Sequence, residues 1–301
     1  MKILVFGKNG QVGTELQRAL APGAMVIALG RSDADFQKPH SVVDAVRATE
    51  PDLIINAAAY TAVDRAEDDA PAAYLTNTRS VEAIAEEATR RAIWMIHYST
   101  DYVFDGMKTA AYVESDPTAP LNVYGASKLA GEKAIAASGA RHVVLRTSWV
   151  YSAHGANFAR TMLRLAREHD ALRVVNDQIG APTSAALIAS VTATIARKIT
   201  ARSDNDANLS GIYHLAAGGQ TSWHGFARAL IAQARSDGAA IRVADDQIAA
   251  IPTADYPTKA RRPMNSRLDT GKLRNTFAIS LPDWRDDIPS VVHDLVSGEP
   301  Q

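Results

Sequence analysis

The first twenty residues constrain the possible folds more than any other part of the chain. A short apolar run, residues 3–6, leads into Gly7, Gly10 and Gly13 of the segment GKNGQVG, and an amphipathic segment follows. An apolar strand, a glycine-rich turn and a helix in this order are typical of a dinucleotide-binding unit. Glycines let backbone N–H groups approach a pyrophosphate, and the start of the helix adds partial positive charge. We therefore predict a phosphate-binding turn at these glycines.

Beyond this turn, short apolar runs alternate with longer helical patterns. Predicted strands lie at 3–6, 25–29, 53–57, 93–99 and 142–147, and predicted helices at 11–20, 71–91 and 127–137. Alternation of this kind predicts the α/β class, with a Rossmann-like, doubly wound parallel sheet. The strands are apolar on both faces, as a sheet covered by helices on both sides requires.

The pattern loosens after residue 150. Helices are predicted at 157–169, 184–198 and 223–235, a strand at 211–216, a polar loop at 201–209, and irregular structure at 252–267. We expect residues 1–150 to form a dinucleotide-binding domain that also takes up returning segments from the C-terminal half. Residues 151–301 should form mainly a smaller, interleaved substrate-binding lobe.

The composition excludes several classes of function. The chain has 301 residues, 47% of them hydrophobic, and a net charge of −1, so neither nucleic acid nor a membrane surface is an expected partner. It has no cysteine, which excludes disulfides, thiol nucleophiles and cysteine metal sites. No apolar run approaches the ~20 residues of a transmembrane helix. We expect a soluble, cytoplasmic protein.

The end of the second predicted strand bears on the choice of cofactor. An acidic residue there binds the adenosine 2′-hydroxyl of NAD, whereas an arginine accommodates the 2′-phosphate of NADP. The chain reads Leu29-Gly30-Arg31-Ser32, and the first carboxylate is Asp33. Arg31 therefore favours NADPH, with NADH possible as an alternative cofactor.

Three residues of the chain fit the chemistry of ketone reduction. Tyr124 and Lys128 are four positions apart and share a helix face, and Thr100 follows a predicted strand at its carboxyl end. Ketone reduction needs a hydride and a proton, and an adjacent ammonium would lower the pKa of a phenol toward the working pH. We predict that Tyr124 donates the proton, Lys128 lowers its pKa, and Thr100 holds the substrate carbonyl.

These motifs also resemble a known family. The glycine turn, the threonine block and the Y-G-x-S-K motif are similar to those of the extended short-chain dehydrogenase/reductases, and the resemblance is strongest to the dTDP-4-dehydrorhamnose reductases. It runs nearly end to end through the blocks FGKNGQVG, NAAAYTAVDRAE, STDYVFDG, YGASKLAGE, RTSWVY, GAPTSA, RRPMNSRLD and LPDW. The resemblance implies NAD(P)H-dependent reduction of a 4-keto group on a dTDP-linked 6-deoxy sugar, giving dTDP-L-rhamnose.

The resemblance also implies roles for individual residues. The catalytic group would be Thr100, Tyr124 and Lys128. The cofactor would contact the turn at Gly10, Gln11 and Val12, the adenine end at Asp35 and Phe36, and also Ala59, Tyr60, Thr61, Tyr98, Tyr124 and Lys128. The sugar nucleotide would contact Thr100, Asp101 and Trp149. Arginines bind pyrophosphate in a bidentate manner, so we add Arg261 and Arg262 to the substrate site.

Other activities of related proteins remain as alternatives. A sugar-nucleotide 4,6-dehydratase would carry glutamate after Thr100-Asp101, where this chain has Tyr102, so dehydration is disfavoured. An epimerase uses the same threonine, tyrosine and lysine, but would retain its NAD tightly. A non-catalytic nucleotide-binding regulatory subunit could keep the glycine turn without turnover.

Some members of the resembled family dimerise through magnesium held by glutamates. Glu15 stands at the first of the expected positions, but alanine occupies the second, after the GAPT segment. The C-terminal segment offers Asp286 and Asp287, and a glutamate only at Glu299. We therefore expect no bound metal, and a monomer or a metal-independent dimer.

Overall fold

The computed structural model describes residues 1–201 and 209–297. The predicted loop at 201–209 and Glu299 therefore lie largely or wholly outside the described residues. The strands are β1 Lys2–Phe6, β2 Met25–Leu29, β3 Leu53–Asn56, β4 Trp94–Thr100, β5 His142–Thr147, β6 Val150–Tyr151, β7 Leu172–Val175, β8 Ile179–Gly180, β9 Thr183–Ser184, β10 Gly211–His214, β11 Thr221–Ser222 and β12 Ile248–Ile251. The α-helices are α1 Gln11–Leu20, α2 Pro39–Thr49, α3 Val63–Ala66, α4 Ala70–Tyr74, α5 Ser80–Arg90, α6 Val123–Ala137, α7 Phe158–Glu168, α8 Ala185–Ala201, α9 Trp223–Ser236, α10 Gly271–Phe277 and α11 Ile288–Val296.

Six of the strands form one parallel sheet in the order β10-β5-β4-β3-β1-β2. The chain leaves β1 toward β2 on one side and places β3 on the other, so a topological switch point lies between β1 and β3. Doubly wound sheets bind ligands outside the carboxyl ends of their strands at this point. The predicted fold class is confirmed, and residues 7–13 and 57–61 are the turns at the switch point.

Side-chain alternation in the sheet builds one apolar cluster on each face. Ile3 and Val5 pack in a cluster with α1 and α8, whereas Leu4 and Phe6 pack in a second cluster with α2 and α5. Successive residues of a strand point to opposite faces, so a run that is apolar at every position needs helices on both sides. The fully buried β1 satisfies this condition at residues 3–6.

The predicted long helix at 71–91 is interrupted. Between α4 and α5 the chain makes a π-helical turn, Leu75–Arg79, which buries Thr76 and Asn77. Such π-turns inside helices frequently occur at functional sites. The turn aims the Asn77 amide at the loop after β3, where it contacts both backbone groups of Tyr60. Helix α2, with Val42 and Val46 buried, was not predicted.

Helix α6 begins four residues earlier than predicted. Asn122 caps it by accepting a hydrogen bond from the Gly125 N–H at 2.8 Å, which satisfies a donor of the first turn. Tyr124 therefore lies in the first turn of the helix. A Cβ at Gly125 would lie 2.2 Å from the Tyr102 carbonyl oxygen, so glycine lets the helix approach the chain that follows β4.

Most of the second half forms a third apolar cluster around α7, α9 and α11. The chain also returns to the central sheet, because β10 pairs with β5 and α8 packs against α1. The division at residue 150 stays a prediction. No helix within 1–201 or 209–297 is long and apolar enough to span a membrane.

Candidate active site

The glycine turn has the shape that a bound pyrophosphate requires. Gly7 has a φ of +89°, and a Cβ there would lie 2.7 Å from the Ala57 carbonyl carbon. A Cβ at Gly13 would lie 2.0 Å from the Gly7 carbonyl oxygen, so α1 can pack this closely only with glycine. Gly10 is the N-cap of α1 and has no side chain to occupy the first N–H groups. These groups fit the phosphates of a dinucleotide.

The two residues after Gly10 are held by different neighbours. The Gln11 Oε1 atom accepts hydrogen bonds from Ser152 at 3.1 Å and from Asn157 at 3.0 Å. The Gln11 side chain thus ties the turn to the second half of the chain. Val12 packs its side chain against the apolar cluster below α1. Contact of either residue with a cofactor would therefore use mainly the backbone.

The end of β2 differs from the prediction in one respect, because a carboxylate lies there. Asp33 folds back, so its carboxylate accepts hydrogen bonds from the Gly30 N–H at 2.9 Å and from Lys8 at 2.6 Å. The bond from Lys8 is the main cause that lowers the pKa of Asp33. A carboxylate therefore does stand at the strand tip, although Lys8 pairs with it. Arg31 is exposed and lies 3.9 Å from Asp35.

Two of the predicted cofactor residues have aromatic rings buried in the core. The Phe36 ring packs edge-to-face on Phe6, with the ring centroids 5.4 Å apart. The Tyr98 hydroxyl forms a 2.7 Å hydrogen bond with the hydroxyl of Thr192, a residue of α8. Both rings are thereby engaged inside the protein, and the backbone carbonyl of Tyr98 accepts a hydrogen bond from Lys128 instead.

The loop after β3 is fixed by the Asn77 amide. The Tyr60 N–H donates to Asn77 Oδ1 at 2.8 Å, and Asn77 Nδ2 donates to the Tyr60 carbonyl at 3.1 Å. Asn77 also donates to Ser127 on α6 at 3.0 Å. Ala59, Tyr60 and Thr61 are therefore positioned between the switch point and the helix that carries Tyr124. The buried Tyr60 hydroxyl has no hydrogen-bond partner among the described residues.

Thr100 and Tyr124 meet at the carboxyl edge of the sheet. The Thr100 hydroxyl accepts from the Tyr102 N–H at 3.1 Å and donates to Asp101 at 3.1 Å. Burial raises the pKa of Tyr124 to about 12, a hydrogen bond with Thr100 opposes this rise, and the Asp101 charge adds to it. Tyr124 is thus a protonated phenol at neutral pH.

Lys128 is fully buried one turn further along α6. Its Nζ atom donates to the Tyr98 carbonyl at 2.6 Å and lies 3.1 Å from His97 Nε2. Burial lowers the pKa of Lys128 to about 8, and the charge of Glu132 partly opposes this. The prediction that Lys128 depresses the pKa of Tyr124 is wrong, because burial is the largest influence on both residues and raises the pKa of the tyrosine.

The predicted substrate residues lie around the same edge. Arg262 donates to Asp64 at 2.8 Å, and Arg261 is exposed while its carbonyl accepts from Asn122 at 2.8 Å. Trp149 has a φ of +49° and stacks on Trp223, with the ring centroids 3.6 Å apart. Its ring also covers Gly180, whose Cβ would lie 2.6 Å from it. Trp149 therefore has a packing role in addition to any contact with substrate.

Asp101 is buried, and this burial raises its pKa to about 7. The folded protein consequently holds a proton between pH 3.8 and about 7 that the unfolded chain releases. The resulting stability is present below pH 3.8 and is lost as pH rises through about 7. Across this window the unfolding free energy of the parent should fall by up to about 4 kcal/mol relative to Asp101→Asn, at about 1.4 kcal/mol per unit of pKa difference. Urea titrations at a series of pH values would measure it, and parallel curves would contradict it.

Three buried polar residues that contact Lys128 or the elements around it were not predicted as part of the site. Asn56 and His97 lie in β3 and β4 and form a chain with Lys128, and Asn77 connects the loop after β3 to α6. Each occurs in or near a run of apolar residues. A polar residue in an otherwise apolar strand is the signal that could have identified Asn56 and His97, because buried polar groups need partners.

Comparison with known proteins identifies the family. The model of the RmlD substrate binding domain family matches residues 1–297. The chain belongs to this family. It is 50% identical over 299 residues to the dTDP-4-dehydrorhamnose reductase of Shigella flexneri, covering 98% of both chains. It is 48% identical to the dTDP-4-dehydrorhamnose reductase of Burkholderia thailandensis, covering 99% of this chain and 100% of that one.

Solved structures of the RmlD family agree with the fold. A dTDP-4-dehydrorhamnose reductase from Bacillus anthracis in complex with NADP is 30% identical, with a TM-score of 0.86 and coverage of 96% and 98%. An orthologue from Clostridium acetobutylicum is 32% identical, with a TM-score of 0.87 and coverage of 99% and 100%. The predicted family is confirmed.

Glu15, the predicted first metal position, contacts Arg18 at 3.4 Å and His154 at 3.7 Å.

Proposed function

We propose that this protein uses NADPH to reduce the 4-keto group of dTDP-4-dehydrorhamnose to the alcohol, which gives dTDP-L-rhamnose. The observation that carries the proposal is the group of Thr100, Tyr124 and Lys128, in which Thr100 and Lys128 are buried and Tyr124 is partly exposed. Thr100 ends β4 at the carboxyl edge of the sheet. The chain is an oxidoreductase of this class, as its full-length relatives at about 50% identity are named dTDP-4-dehydrorhamnose reductases. NADP in the related Bacillus anthracis structure supports the choice of cofactor.

Bound NADPH would supply the hydride for the carbonyl carbon. The backbone of Gly7–Gly13 would hold its phosphates, Arg31 its 2′-phosphate, and Ala59–Thr61 and the Tyr98 carbonyl would line the nicotinamide side. The Tyr124 O–H bond breaks as its proton passes to the substrate oxygen. The Thr100 hydroxyl accepts from the Tyr102 N–H, and it would orient that oxygen by donating its proton to it in place of Asp101.

Residues 1–150, with β10 and α8 returning to the sheet, would bind the cofactor, and most of the remaining chain would bind the sugar nucleotide. Asp101, Trp149, Arg261 and Arg262 are the proposed contacts for that substrate. We place the enzyme in the cytoplasm. It would act as a monomer or as a dimer without bridging metal.

The decisive test is incubation with NADPH and freshly generated dTDP-4-dehydrorhamnose. Loss of NADPH absorbance, with dTDP-L-rhamnose as the product identified by NMR, is the expected result. An epimerase would interconvert sugar nucleotides without net consumption of NADPH and would retain NAD through purification. A regulatory subunit would bind the cofactor without turnover. Either result would replace the reductase assignment.

The cofactor preference should depend on Arg31 to a modest degree. Its guanidinium is exposed and can pair with the 2′-phosphate of NADPH, and an exposed ion pair contributes only ~0.2–1 kcal/mol. Arg31→Ala should therefore lower kcat/KM for NADPH by about 2- to 5-fold and leave that for NADH unchanged. Arg18→Ala, at another exposed arginine, is the control. Equal losses of kcat/KM with NADPH and NADH would show that Arg31 does not discriminate between the two cofactors.

A further inference from the structure

The segment from Trp149 to Phe158 packs against one indole at both of its ends. The Trp149 ring stacks on Trp223 with the centroids 3.6 Å apart, and the Phe158 ring centroid lies 4.6 Å from that of the same indole. Trp223 is itself fixed, because its Nε1–H donates to Gln178 at 3.1 Å. A displacement of the chain between the two ends would therefore disturb the stack that orients Trp149.

The 152–157 loop between these ends is organised around Asn157. Asn157 Nδ2 donates to the Ser152 carbonyl at 2.8 Å and lies 3.2 Å from the His154 carbonyl. Its Oδ1 atom accepts from the Arg160 N–H at 3.1 Å, which caps α7. Carbonyls only accept and backbone N–H groups only donate, so these partners decide which way the Asn157 amide points.

The Gln11 side chain joins this loop to the glycine turn. Gln11 Oε1 accepts from Asn157 Nδ2 at 3.0 Å and from the Ser152 hydroxyl at 3.1 Å. Asn157 is the firmer donor, since the Ser152 hydroxyl can also donate to the His154 carbonyl at 2.9 Å. Within residues 1–201 and 209–297, no other hydrogen bond joins residues 7–13 to residues 149–158.

The backbone of Gln11 belongs to the glycine turn as well. Gln11 is the first residue of α1, directly after the N-cap Gly10, and the first N–H groups of a helix have no partner within it. These are the groups that fit the phosphates of a dinucleotide. One residue therefore presents its backbone to the cofactor and its side chain to the loop that follows Trp149.

We propose that Gln11 is a positioning residue that makes the cofactor and the sugar nucleotide bind cooperatively. The inference deepens the proposed function, because it rests on a cofactor at the glycine turn and a sugar nucleotide at Trp149. Phosphates on the N–H groups of Gly10–Val12 fix the turn and with it the direction of the Gln11 side chain. The amide then holds the 152–157 loop, and through the loop Trp149, so the second ligand meets a segment that the first has already ordered.

The test is a pair of binding titrations on the full-length protein with NADPH and dTDP-L-rhamnose. Both compounds are in the reduced state, so they bind together without reacting. Calorimetry would give the affinity for each ligand alone and with the other at saturation. We expect each to bind about 5- to 10-fold more tightly in the presence of the other, with the same factor in both orders because coupling is reciprocal.

Two substitutions at Gln11 separate the hydrogen bonds from the backbone contact. Gln11→Leu removes the acceptor, so the coupling factor should fall to about 1 to 2 while NADPH alone binds within about 2-fold of the parent. Gln11→Glu keeps an acceptor for Ser152 and Asn157 and should keep the coupling, although its charge beside the phosphates weakens NADPH binding itself. A residue with only a structural role would give lower thermal stability in Gln11→Leu with the coupling factor of the parent.

A variant on the other side of the hydrogen bond tests the same link. Asn157→Ser can still cap α7 but is too short to reach Gln11, so it should lose the coupling to the same extent. The double variant Gln11→Leu/Asn157→Ser should lose no more than either single variant, because both remove one interaction. Glu15→Gln is the matched control, since Glu15 lies on α1 and contacts the same loop at His154, 3.7 Å away, without touching Gln11's acceptor. It should retain the coupling of the parent.

The outcomes distinguish this inference from the proposed function. A protein that binds both ligands independently, or that keeps its coupling in Gln11→Leu and Asn157→Ser, would overturn the inference and leave the reductase assignment intact. A protein that fails to bind dTDP-L-rhamnose at all would count against both. If one of the two variants fails to fold, the other removes the same hydrogen bond and decides the question.

Discussion

Tyr124→Phe should lower kcat by about 10²- to 10⁴-fold while NADPH binding and the thermal midpoint stay close to those of the parent. The substitution removes one hydroxyl and keeps the ring, which packs edge-to-face on Tyr102 with centroids 5.7 Å apart. That hydroxyl is the only part of Tyr124 that can give a proton to the substrate oxygen. Steady-state kinetics with dTDP-4-dehydrorhamnose, together with NADPH fluorescence titration, would measure the two effects separately.

Tyr213→Phe is the matched control for this variant. Its hydroxyl is also buried and donates to the Leu209 carbonyl at 2.9 Å. Tyr213 belongs to β10, however, and not to the carboxyl edge of the sheet where Thr100 and Tyr124 meet. It should lose about 1 kcal/mol of stability and leave kcat nearly unchanged. If Tyr124→Phe kept most of its kcat, another group would have to be the proton donor.

The outline of the fold and the place of the site could be predicted because they depend on local patterns. Glycines at 7 and 13 have steric reasons within one strand–turn–helix unit, and a lysine four residues after a tyrosine shares its helix face wherever the helix packs. The carboxyl edge of a parallel sheet then brings Thr100 to the same place. None of these steps needs knowledge of a distant contact.

The details that were missed depend on contacts between residues far apart in the chain. Sequence spacing could not show that Asp33 folds back onto Gly30, or that Lys128 meets His97, 31 residues earlier. The effect of Lys128 on the tyrosine pKa was misjudged for the same reason. Its sign depends on burial and on the hydrogen-bonding partner of the lysine, and neither is a property of the helix alone.

Arg146→Leu should destabilise the protein by about 3–5 kcal/mol, which is the usual cost of breaking a buried ion pair by removing one partner. Arg146, on β5, donates to both carboxylate oxygens of Glu132 at 2.9 and 2.7 Å, and both side chains are at most 3% exposed. The leucine would leave the Glu132 carboxylate buried without its counter-charge, on the helix that carries Tyr124 and Lys128. Urea unfolding of the parent and the variant at neutral pH would measure the loss.

Two further variants separate the ion pair from simple loss of packing. Arg164→Leu removes an exposed partner of Glu168 and should cost no more than about 1 kcal/mol. The double variant Arg146→Leu/Glu132→Leu should recover much of the loss, since an apolar pair has no charge to desolvate. The Arg146 Cζ atom also lies 5.0 Å from the centroid of the Phe104 ring, in a cation–π contact. If the double variant were as unstable as Arg146→Leu alone, this contact would contribute more to stability than the ion pair.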